Sequence, residues 1–425
     1  MEPVRLKYGE TQIELGMEGA KSVQLLTDCQ IEPITDLKQA FLQAVEQECI
    51  QSPPLSELIC AEDLVTIVIS DLTRFWMRQD KICALLVDYL HEVAGVAYTQ
   101  IAIVVALGTH RPQSEAELQK LVSPEVYAKV QVCNHDCMAP DLAYVGTTSY
   151  GTEVWVHPLA VGRKVILVSG TVHHLMAGFG GGRKSILPGI SGKKTICQNH
   201  IHSLSPQQPC SNPMIGMGKL AENPVNEDMN EAANLVAPVF GINLVVNSQN
   251  EHCRLLCGHW KAAWEESCAV VEQVMGVPIQ HKADIVVVSC GGYPKDINLY
   301  QGVKALLNAA QAVRDGGELV FLAECREGGG APEFFDWIAP LRRGTLDADL
   351  RANFSIAGYI FYASCEVIAR CKAVFMLTQI PHEQVAPMKL RAYDTIEQLL
   401  QQVDFTGKDV YVMPYGGYTV PILAE

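Results

Sequence analysis

Short runs of apolar residues alternate along this chain with longer stretches in which apolar residues recur three or four positions apart. The first pattern is typical of strands buried in a parallel sheet, and the second of helices that cover such a sheet. The alternation therefore predicts an α/β protein with mostly parallel sheets. The predicted strands are 64–70, 101–106, 165–169, 244–247, 284–289, 318–323, 373–377 and 409–413. The predicted helices are 79–94, 115–122, 226–237, 260–275, 300–313 and 393–403.

A short breaker divides this series of elements. The tripeptide Gly-Val-Pro at 276–278 ends a long helix, and a fresh series of strands and helices follows it. We therefore expect two α/β domains, residues 1–275 and 279–425, which suits a chain of 425 residues. Within the first domain, the alternating stretch 145–156 predicts an antiparallel hairpin.

Composition and charge narrow the class of protein. Lys and Arg number 32 against 47 Asp and Glu, and the resulting net charge of −15 has the wrong sign for a nucleic-acid partner. The sequence has no apolar stretch long enough to cross a membrane and no basic and apolar leader, so we expect a cytoplasmic protein. The 15 cysteines lie largely in apolar runs, which indicates core thiols rather than a disulfide framework.

Polar residues follow the predicted strands at their carboxyl ends, where open α/β sheets bind ligands. Asp71, Thr73 and Arg74 come directly after the first strand. An arginine offers a planar fork that holds a carboxylate or a phosphate at two points. The structural alternative is that Asp71 caps the next helix and Arg74 pairs with it on the surface.

A histidine follows the second predicted strand. His110 lies between Gly108 and Pro112 and is followed by Arg111. A histidine exposed at a strand tip suits a general base, and the neighbouring arginine suits an anion anchor. A purely structural histidine is the alternative.

A glycine-rich loop follows the third predicted strand. Residues 173–185 read HHLMAGFGGGRKS, and the glycines allow close backbone approach and leave amide donors free for an anionic group. The loop fails the pattern of nucleoside-triphosphate-binding loops because Arg183 stands where the last glycine is needed. Lys184 has the setting of a nucleophilic or cofactor-bearing lysine. A solvated lysine near a turn is the alternative.

Two other groups contain metal-binding residue types. His200 and His202 form a His-x-His pair, but such a pair needs a third ligand that the sequence does not reveal. The segment 252–259, HCRLLCGH, matches no zinc pattern and predicts a strand and a turn.

A candidate anion site lies in the second domain, after the strand 284–289. Tyr300 and Lys304 fall on one face of the next helix because four residues separate them, and Gln301 is adjacent. A cation near a helix start suits an anionic ligand. With polar strand tips in both domains, we expect the active site in the cleft between them.

Six segments carry further information when they are considered together. They are DLTR (71–74), GTHR (108–111), HxxAGFxGGxK (174–184), NH (199–200), ENPxNEDM (222–229) and GGYPxDxNxYQxxK (291–304). In this order they resemble the nickel-dependent lactate racemase family, over nearly the whole chain. The resemblance implies a racemase or epimerase that inverts carbon two of a 2-hydroxy acid, such as lactate, with a nickel-pincer nucleotide as cofactor.

The resemblance also implies roles for individual residues. Lys184 would hold the pyridinium-3,5-bisthiocarboxylic acid mononucleotide covalently through a thioamide, and His200 would complete the coordination of nickel. His110 and His174 would be the two acid/base residues. The residues that would hold the substrate carboxylate are Arg74 and Lys304. The residues that would orient the cofactor or support catalysis are Asp71, Thr73, Gly181, Gly182, Tyr300 and Gln301.

A hydride-transfer mechanism would account for this combination of histidines, cationic residues and cofactor. A proton alpha to a carboxylate is feebly acidic, whereas removing the hydroxyl proton and passing a hydride to an electron-poor carbon avoids a dianion. The intermediate would be a 2-oxo acid, and return of the hydride to its other face would invert the centre. The implied partners are the 2-hydroxy acid and the enzymes that make the cofactor, and the resemblance is compatible with a homodimer.

Three positions depart from the family pattern. Phe75 and His173 stand where proline is frequent, and Arg183 stands where a small residue or proline is common. None of these departures removes a catalytic group. Arg183 would serve a second substrate carboxylate or face solvent, so the choice of 2-hydroxy acid stays open.

Two other functions compete with a racemase. A nucleotide- or metal-binding protein could keep the scaffold without racemising anything, but it would need neither His110 nor His174. A dehydrogenase with a free nicotinamide cofactor is disfavoured because the glycine fingerprint for dinucleotides is missing from the first strand-helix unit.

Overall fold

The computed structural model describes residues 3–27, 31–247, 249–330 and 333–424. The strands are β1 (Val4–Tyr8), β2 (Thr11–Leu15), β3 (Ser22–Leu25), β4 (Val65–Ser70), β5 (Ile101–Ala106), β6 (Gln131–Asn134), β7 (Ala143–Thr147), β8 (Glu153–Val156), β9 (Lys164–Gly170), β10 (His173–His174), β11 (Gly178–Phe179), β12 (Phe240–Val246), β13 (His252–Gly258), β14 (Gly276–Ile279), β15 (Ala283–Ser289), β16 (Val313–Leu322), β17 (Ala373–Leu377), β18 (Leu390–Tyr393), β19 (Asp409–Met413) and β20 (Val420–Leu423). The α-helices are α1 (Leu37–Glu46), α2 (Leu55–Leu58), α3 (Gln79–Glu92), α4 (Glu115–Val122), α5 (Pro124–Lys129), α6 (Lys193–His200), α7 (Pro224–Val236), α8 (Ala262–Met275), α9 (Leu299–Ala309), α10 (Ile338–Arg343), α11 (Leu346–Ala352), α12 (Ile356–Arg370), α13 (His382–Val385) and α14 (Ile396–Leu400).

The contacts within the chain define two compact units. Unit 1 consists of Met1–Cys29, Leu204–Asn212 and Gln273–Glu425, and unit 2 consists of Gln30–Ser203 and Pro213–Glu272. Each unit is built around its own large sheet, and the α/β class expected from the sequence is confirmed.

The sheet of unit 2 has the strand order β13-β12-β9-β4-β5-β6. Its strands run parallel except β13, which pairs antiparallel with β12 at the edge. Strands β4 and β5 are buried at every residue except the last, and Ile67, Ile103 and Leu86 are completely buried in one core. The stretch predicted as a hairpin forms β7 and β8, which pair antiparallel as a separate small sheet.

The sheet of unit 1 has the strand order β18-β17-β16-β15-β19-β3, and its strands are all parallel. Its outermost strand, β3, comes from the start of the chain and pairs with β19. The antiparallel hairpin of β1 and β2 contributes Leu6 and Leu15 to the core of this unit, beside Val287 and Val412.

The two units differ from the predicted division at residue 275 in two places. The N-terminal segment and Leu204–Asn212 both belong to unit 1, although they precede residue 275. For the N-terminal segment, the physical reason is that its strand β3 is short and mostly exposed, so its sequence carries no hydrophobic pattern that would tie it to one sheet.

Most predicted elements agree with the structure to within a few residues, and one helix differs. The stretch 393–403 was expected to be a single helix, but it contains the end of β18 and the short helix α14. Thr395 separates them because its side chain accepts a hydrogen bond from Gln398 N and begins the helix there. Among the described residues, no helix combines the length and the apolar character needed to cross a bilayer.

Candidate active site

Asp71 and His110, which follow β4 and β5, form a hydrogen-bonded pair. The two strands are parallel neighbours with Ser70 opposite Ala106, so the residues after them leave the sheet at the same edge. His110 Nδ1 lies 2.6 Å from Asp71 Oδ2. Because a carboxylate only accepts, His110 donates from Nδ1 and keeps its lone pair on Nε2. The His110 side chain is 47% exposed and that of Asp71 is 4% exposed, so a ligand can reach the histidine while its partner is shielded.

The neighbours of Asp71 keep it charged. Burial raises the pKa of its carboxyl, but the hydrogen bonds from His110 and Thr73 and the charge of Arg74 outweigh burial and lower the pKa overall. Thr73 Oγ1 donates to Asp71 Oδ1 at 2.6 Å, and Arg74 Nη1 donates to Thr73 Oγ1 at 3.0 Å. In the described part of the chain, the Asp71 side chain caps no helix, and it supports His110 instead.

His174 and Lys184 meet within the glycine-rich loop. Lys184 lies on the 3-10 turn Gly182–Ser185, and its Nζ is 2.8 Å from His174 Nε2. Burial, followed by the charges of Lys184, His200 and Arg74, lowers the pKa of His174 well below its ordinary value. His174 is therefore a neutral imidazole at pH 7 in the cofactor-free chain. Because it contacts His174, Lys184 is not a solvated lysine near a turn, which was the alternative considered from the sequence.

Both ring nitrogens of His174 have neighbours. The N–H groups of Met176 and Ala177 both point at His174 Nδ1, each at 3.2 Å. On the other side of the ring, Nε2 faces Lys184 Nζ. These contacts fix the orientation of the ring.

His200 ends helix α6 and is completely buried. Its Nδ1 donates to Ile196 O at 3.0 Å, which leaves the lone pair on Nε2. Burial and the charge of Lys184 lower the pKa of His200 to about 3. The ring is therefore neutral at pH 7, which is the form that binds a metal.

A buried carboxylate to which the sequence alone assigns no role anchors helix α6. Asp228 accepts from Thr148 Oγ1 at 2.6 Å, Thr152 Oγ1 at 2.7 Å and Asn199 Nδ2 at 2.9 Å. Because Asn199 directly precedes His200, these bonds fix the turn that carries the histidine. The sequence alone does not distinguish such a carboxylate from one on a solvated helix face.

The glycine-rich loop packs against the protein, in contrast to the free amides expected from the sequence. Gly180 N donates to Val172 O at 2.7 Å, and Gly182 N donates to Ser169 Oγ at 2.8 Å. A Cβ on Gly182 would lie 2.5 Å from the ring of Trp264, and its φ of +52° also favours glycine. Close packing therefore accounts for this glycine, and cofactor binding by the loop stays a prediction.

Arg183 neither faces solvent nor is available to a substrate carboxylate, which corrects both roles considered from the sequence. The residue is completely buried. Its guanidinium donates to Asn226 Oδ1 at 3.0 Å, Phe179 O at 2.9 Å and Ala177 O at 2.6 Å, and it lies 3.7 Å from the ring centroid of Trp264. Burial lowers the pKa of Arg183 to about 9, which still leaves the group charged at pH 7.

His173 packs on the ring of Phe179, with 4.8 Å between the ring centroids. Burial lowers the pKa of His173 to about 4. Within the described residues, neither of its ring nitrogens has a hydrogen-bond partner. This departure from the family pattern is therefore a neutral packing residue.

The candidate residues from the second predicted domain lie at the start of α9 in unit 1. Asn298 begins the helix, and its side chain accepts a hydrogen bond from Gln301 N at 3.0 Å. Lys304 Nζ donates to Gln301 Oε1 at 2.6 Å and lies 6.0 Å from the ring centroid of Tyr300. The structure thus brings these three candidates together within unit 1, and the cleft expected between two domains stays a prediction.

Comparison with known proteins decides the family. Residues 8–211 match the family model described as lactate racemase N-terminal domain, and residues 279–417 match the one described as lactate racemase C-terminal domain. The chain belongs to the lactate racemase family.

Individual members of the family give the same result. The lactate racemase of Thermoanaerobacterium thermosaccharolyticum is 32% identical over 285 residues, which are 67% of this chain and 65% of that protein. The lactate racemase of Lactiplantibacillus plantarum is 30% identical over 292 residues, 68% of this chain and 67% of that protein. The matches thus span about two thirds of each relative.

Solved structures agree with the fold. The lactate racemase apoprotein from T. thermosaccharolyticum superimposes with a TM-score of 0.87 and 25% identity, and the match covers 100% of both chains. A Thermotoga maritima protein superimposes with a TM-score of 0.64 and 19% identity, covering 87% of this chain and 96% of that one. The second likeness concerns the fold alone.

Proposed function

We propose that this chain racemises a 2-hydroxy acid, with lactate as the first substrate to test, by means of a nickel-pincer nucleotide attached at Lys184. The observation that carries the proposal is the contact of 2.8 Å between Lys184 Nζ and His174 Nε2. The residue proposed for cofactor attachment thus lies within hydrogen-bond distance of a residue proposed as an acid/base group. Family membership supports the same reaction.

The residues present fit such a cofactor. Among the described residues, no group of three or more His, Cys, Asp or Glu side chains is arranged to hold an ion, so a metal beside His200 would take its other ligands from a bound molecule. His200 offers a lone pair on Nε2, and Lys184 offers a primary amine for a thioamide. When bound, the cofactor supplies the metal and an electron-poor carbon that takes a hydride and returns it.

His110 is the residue best placed to take the hydroxyl proton of the substrate. Its Nε2 has the lone pair, and the buried carboxylate of Asp71 orients the ring and stabilises its charged form. Arg74 is the anchor for the substrate carboxylate, since its planar guanidinium lies next to this pair.

His174 is the second acid/base residue. Inversion needs one group for each orientation of the hydroxyl, and Nε2 is the nitrogen that His174 turns toward Lys184. We also propose that Lys304 binds the substrate. The residues proposed to bind the cofactor are Thr73, Gly181, Gly182, Tyr300 and Gln301. A protein that only binds a nucleotide or a metal would not need the Asp71–His110 pair, which favours catalysis.

Attachment at Lys184 can be tested by intact mass. The chain produced together with the cofactor-making enzymes is expected to carry a covalent mass addition, and Lys184→Ala is expected to lose it while remaining folded. Lys194→Ala is the matched control, because Lys194 is exposed and pairs with Glu153. An unchanged addition in Lys184→Ala would contradict attachment at this residue.

Nickel binding is tested separately with His200→Ala. This variant is expected to keep the mass addition but to hold less nickel per chain, because one metal ligand is lost. Elemental analysis measures nickel, and mass spectrometry measures the organic part. Equal nickel in the variant and the wild type would remove His200 from the coordination sphere.

Hydride transfer is tested with lactate deuterated at carbon two. We expect a primary isotope effect on racemisation and retention of deuterium in the product. His110→Ala and His174→Ala are each expected to slow the reaction by about 10²–10⁴-fold, since each removes a proton-transfer group. Rapid exchange of the deuterium with solvent during turnover would indicate simple deprotonation at carbon two instead.

A further inference from the structure

Asp296 is a buried carboxylate of unit 1 to which the proposed function gives no role. It lies in the segment 291–304, two residues before the helix cap Asn298, and is 1% exposed. Its Oδ2 accepts from Gly9 N at 2.7 Å and from Glu324 N at 3.3 Å. Within the described residues its Oδ1 has no hydrogen-bond partner, and two amides compensate only part of the cost of burying a carboxylate. Asp296 is therefore better explained by the segments it joins than by the stability it adds.

Asp296 joins two segments that come from distant parts of the chain. Gly9 lies in the turn between β1 and β2, and Glu324 follows the end of β16. A Cβ on Gly9 would lie 2.5 Å from the carboxyl carbon of Glu324, and the φ of Gly9 is +53°. The main chain of Gly9 thus packs directly on Glu324, and the Asp296 carboxylate bonds to both residues.

The chain after Glu324 runs beside the chain that begins at Asp296. Four main-chain hydrogen bonds join the two: Cys325 N donates to Asp296 O at 2.8 Å, Glu327 N to Ile297 O at 2.9 Å, Leu299 N to Gly328 O at 2.9 Å and Tyr300 N to Gly329 O at 3.1 Å. Residues 325–330 form a covering loop, so called because its carbonyls cover the first amides of α9. The Asp296 side chain holds Glu324 N, immediately before this loop begins.

The covering loop occupies amides at the start of α9. Leu299 N and Tyr300 N donate to the loop, and Gln301 N donates to the Asn298 side chain. The first amides of a helix are the usual main-chain donors to a bound anion. Because these three are satisfied inside unit 1, binding of an anion at this helix depends on side chains such as Lys304. The placement of those side chains depends in turn on the loop.

We propose that Asp296 is a positioning residue for Tyr300, Gln301 and Lys304. It fixes the beginning of the covering loop at Glu324, and the loop fixes the first turn of α9. Asp296 acts through the main chain, since the bonds of its carboxylate end on amides. A consequence for substrate binding rests on the proposed function, whereas the effect on the main chain of α9 does not.

Amide hydrogen exchange of the cofactor-free protein tests the main-chain effect. Exchange is followed by mass spectrometry of peptides from the segment 296–304 under native conditions. Asp296→Ala is expected to speed exchange of the Leu299 and Tyr300 amides by about 10- to 100-fold, the effect of losing hydrogen bonds to a charged group. Asp296→Asn is expected to fall in between, because it keeps an oxygen acceptor but not the charge.

Asp284 provides a matched control at the amino end of β15. Its Oδ2 accepts from Asp409 N at 3.0 Å, and its Oδ1 accepts from Arg314 Nε at 2.8 Å. Asp284→Ala therefore also removes a carboxylate that holds a main-chain amide in unit 1. It is expected to leave exchange in the segment 296–304 unchanged. Equally faster exchange in both variants would indicate a general loosening of unit 1 and would count against a positioning role.

Two glycines of the covering loop keep the test decisive if Asp296→Ala does not fold. The φ of Gly330 is +90° and that of Gly328 is +62°, so alanine strains the backbone at either position. A Cβ on Gly330 would lie 2.3 Å from Asn298 Cγ, whereas a Cβ on Gly328 would have no described neighbour within 4 Å. Gly330→Ala is therefore expected to speed exchange at the start of α9 much more than Gly328→Ala. Wild-type exchange in folded Asp296→Asn and Gly330→Ala would overturn the proposal.

Kinetics of the loaded enzyme separate this inference from the proposed function. Asp296→Ala is expected to raise KM by about 10-fold with a smaller change in kcat, because a charge-assisted contact at Lys304 is weakened while His110 and His174 lie in unit 2. Faster exchange with a wild-type KM would show that Asp296 fixes the main chain alone, and would overturn its role for the side chains. If the wild type racemises no 2-hydroxy acid while exchange behaves as expected, the proposed function fails and the fixing of α9 by Asp296 stands.

Discussion

At the scale of single residues, each candidate acid/base histidine is held by a second group that does not itself face the ligand. Half-exposed His110 is backed by buried Asp71, and His174 is backed by two backbone amides. In each case the partner sits on Nδ1, so Nε2 is the nitrogen left for chemistry.

Asp71→Asn tests this account of His110. The amide Nδ2 would donate to His110 Nδ1 and move the ring hydrogen to Nε2, so the lone pair that should accept the hydroxyl proton is lost. We expect kcat to fall by about 10²–10⁴-fold at unchanged cofactor content. Asp88→Asn is the control, since it makes the same change at an exposed carboxylate of the same unit, which pairs with Lys129. Wild-type kcat in Asp71→Asn would contradict a base at His110.

The sequence predicts where a residue lies when that residue directly follows a strand of a parallel sheet. Asp71 and His110 follow neighbouring parallel strands, so the sequence pattern already places them at one edge. Arg183 is different, because its burial depends on Trp264 and Asn226, which come from distant helices. A charged residue on a glycine-rich loop resembles a ligand anchor in the sequence, and only tertiary packing shows that it is internal.

At the scale of elements, the start of α9 determines how Tyr300, Gln301 and Lys304 are presented. The Asn298 side chain accepts from Gln301 N, and this bond fixes the first turn, from which Gln301 Oε1 receives Lys304 Nζ. The sequence predicted this helix from its apolar spacing. The sequence gives no separate indication that Asn298 caps the helix, although this cap orients Gln301 and Lys304.

Asn298→Ala is expected to lower the free energy of unfolding by about 1 kcal/mol, the usual contribution of a helix cap. Under the proposed function it is also expected to raise KM, because the turn that holds Gln301 beside Lys304 would no longer be fixed. Ser355→Ala is the control, since Ser355 caps α12 in the same unit by accepting from Gly358 N. Urea unfolding is expected to show similar losses in both variants, with KM raised only in Asn298→Ala. An equal KM in both would remove the cap from substrate binding.

At the scale of the whole molecule, the fold class follows from the sequence but the composition of the units does not. The alternation of apolar runs and helices predicts parallel sheets, whereas β3 joins unit 1 by pairing with β19 far along the chain. The units also differ in their histidines. Those with lowered pKa values are all in unit 2, namely His135, His157, His173, His174, His200, His202 and His252.

This distribution predicts that unit 2 is the part of the cofactor-free protein that is sensitive to acid. Burial is the first cause that lowers the pKa values of His135 and His173, each to about 4. Between about pH 6.5 and 4 the unfolded chain therefore binds protons that the folded unit does not, so stability falls as the pH falls through this window. From pH 7 to 5 each of these two residues is expected to remove roughly 2 kcal/mol.

Urea unfolding at pH 7 and pH 5 can measure this difference between the units. Trp337 belongs to unit 1 and the other tryptophans belong to unit 2, so in Trp337→Phe the fluorescence reports unit 2 alone, while circular dichroism reports both units. At pH 5 we expect the fluorescence transition to move to lower urea and to precede part of the dichroism change. His135→Gln is expected to reduce the shift, because its amide can still donate to Ser191 O while the titrating group is gone. Coincident transitions that move equally at pH 5 would show that acid acts on the whole chain and not on the buried histidines of unit 2.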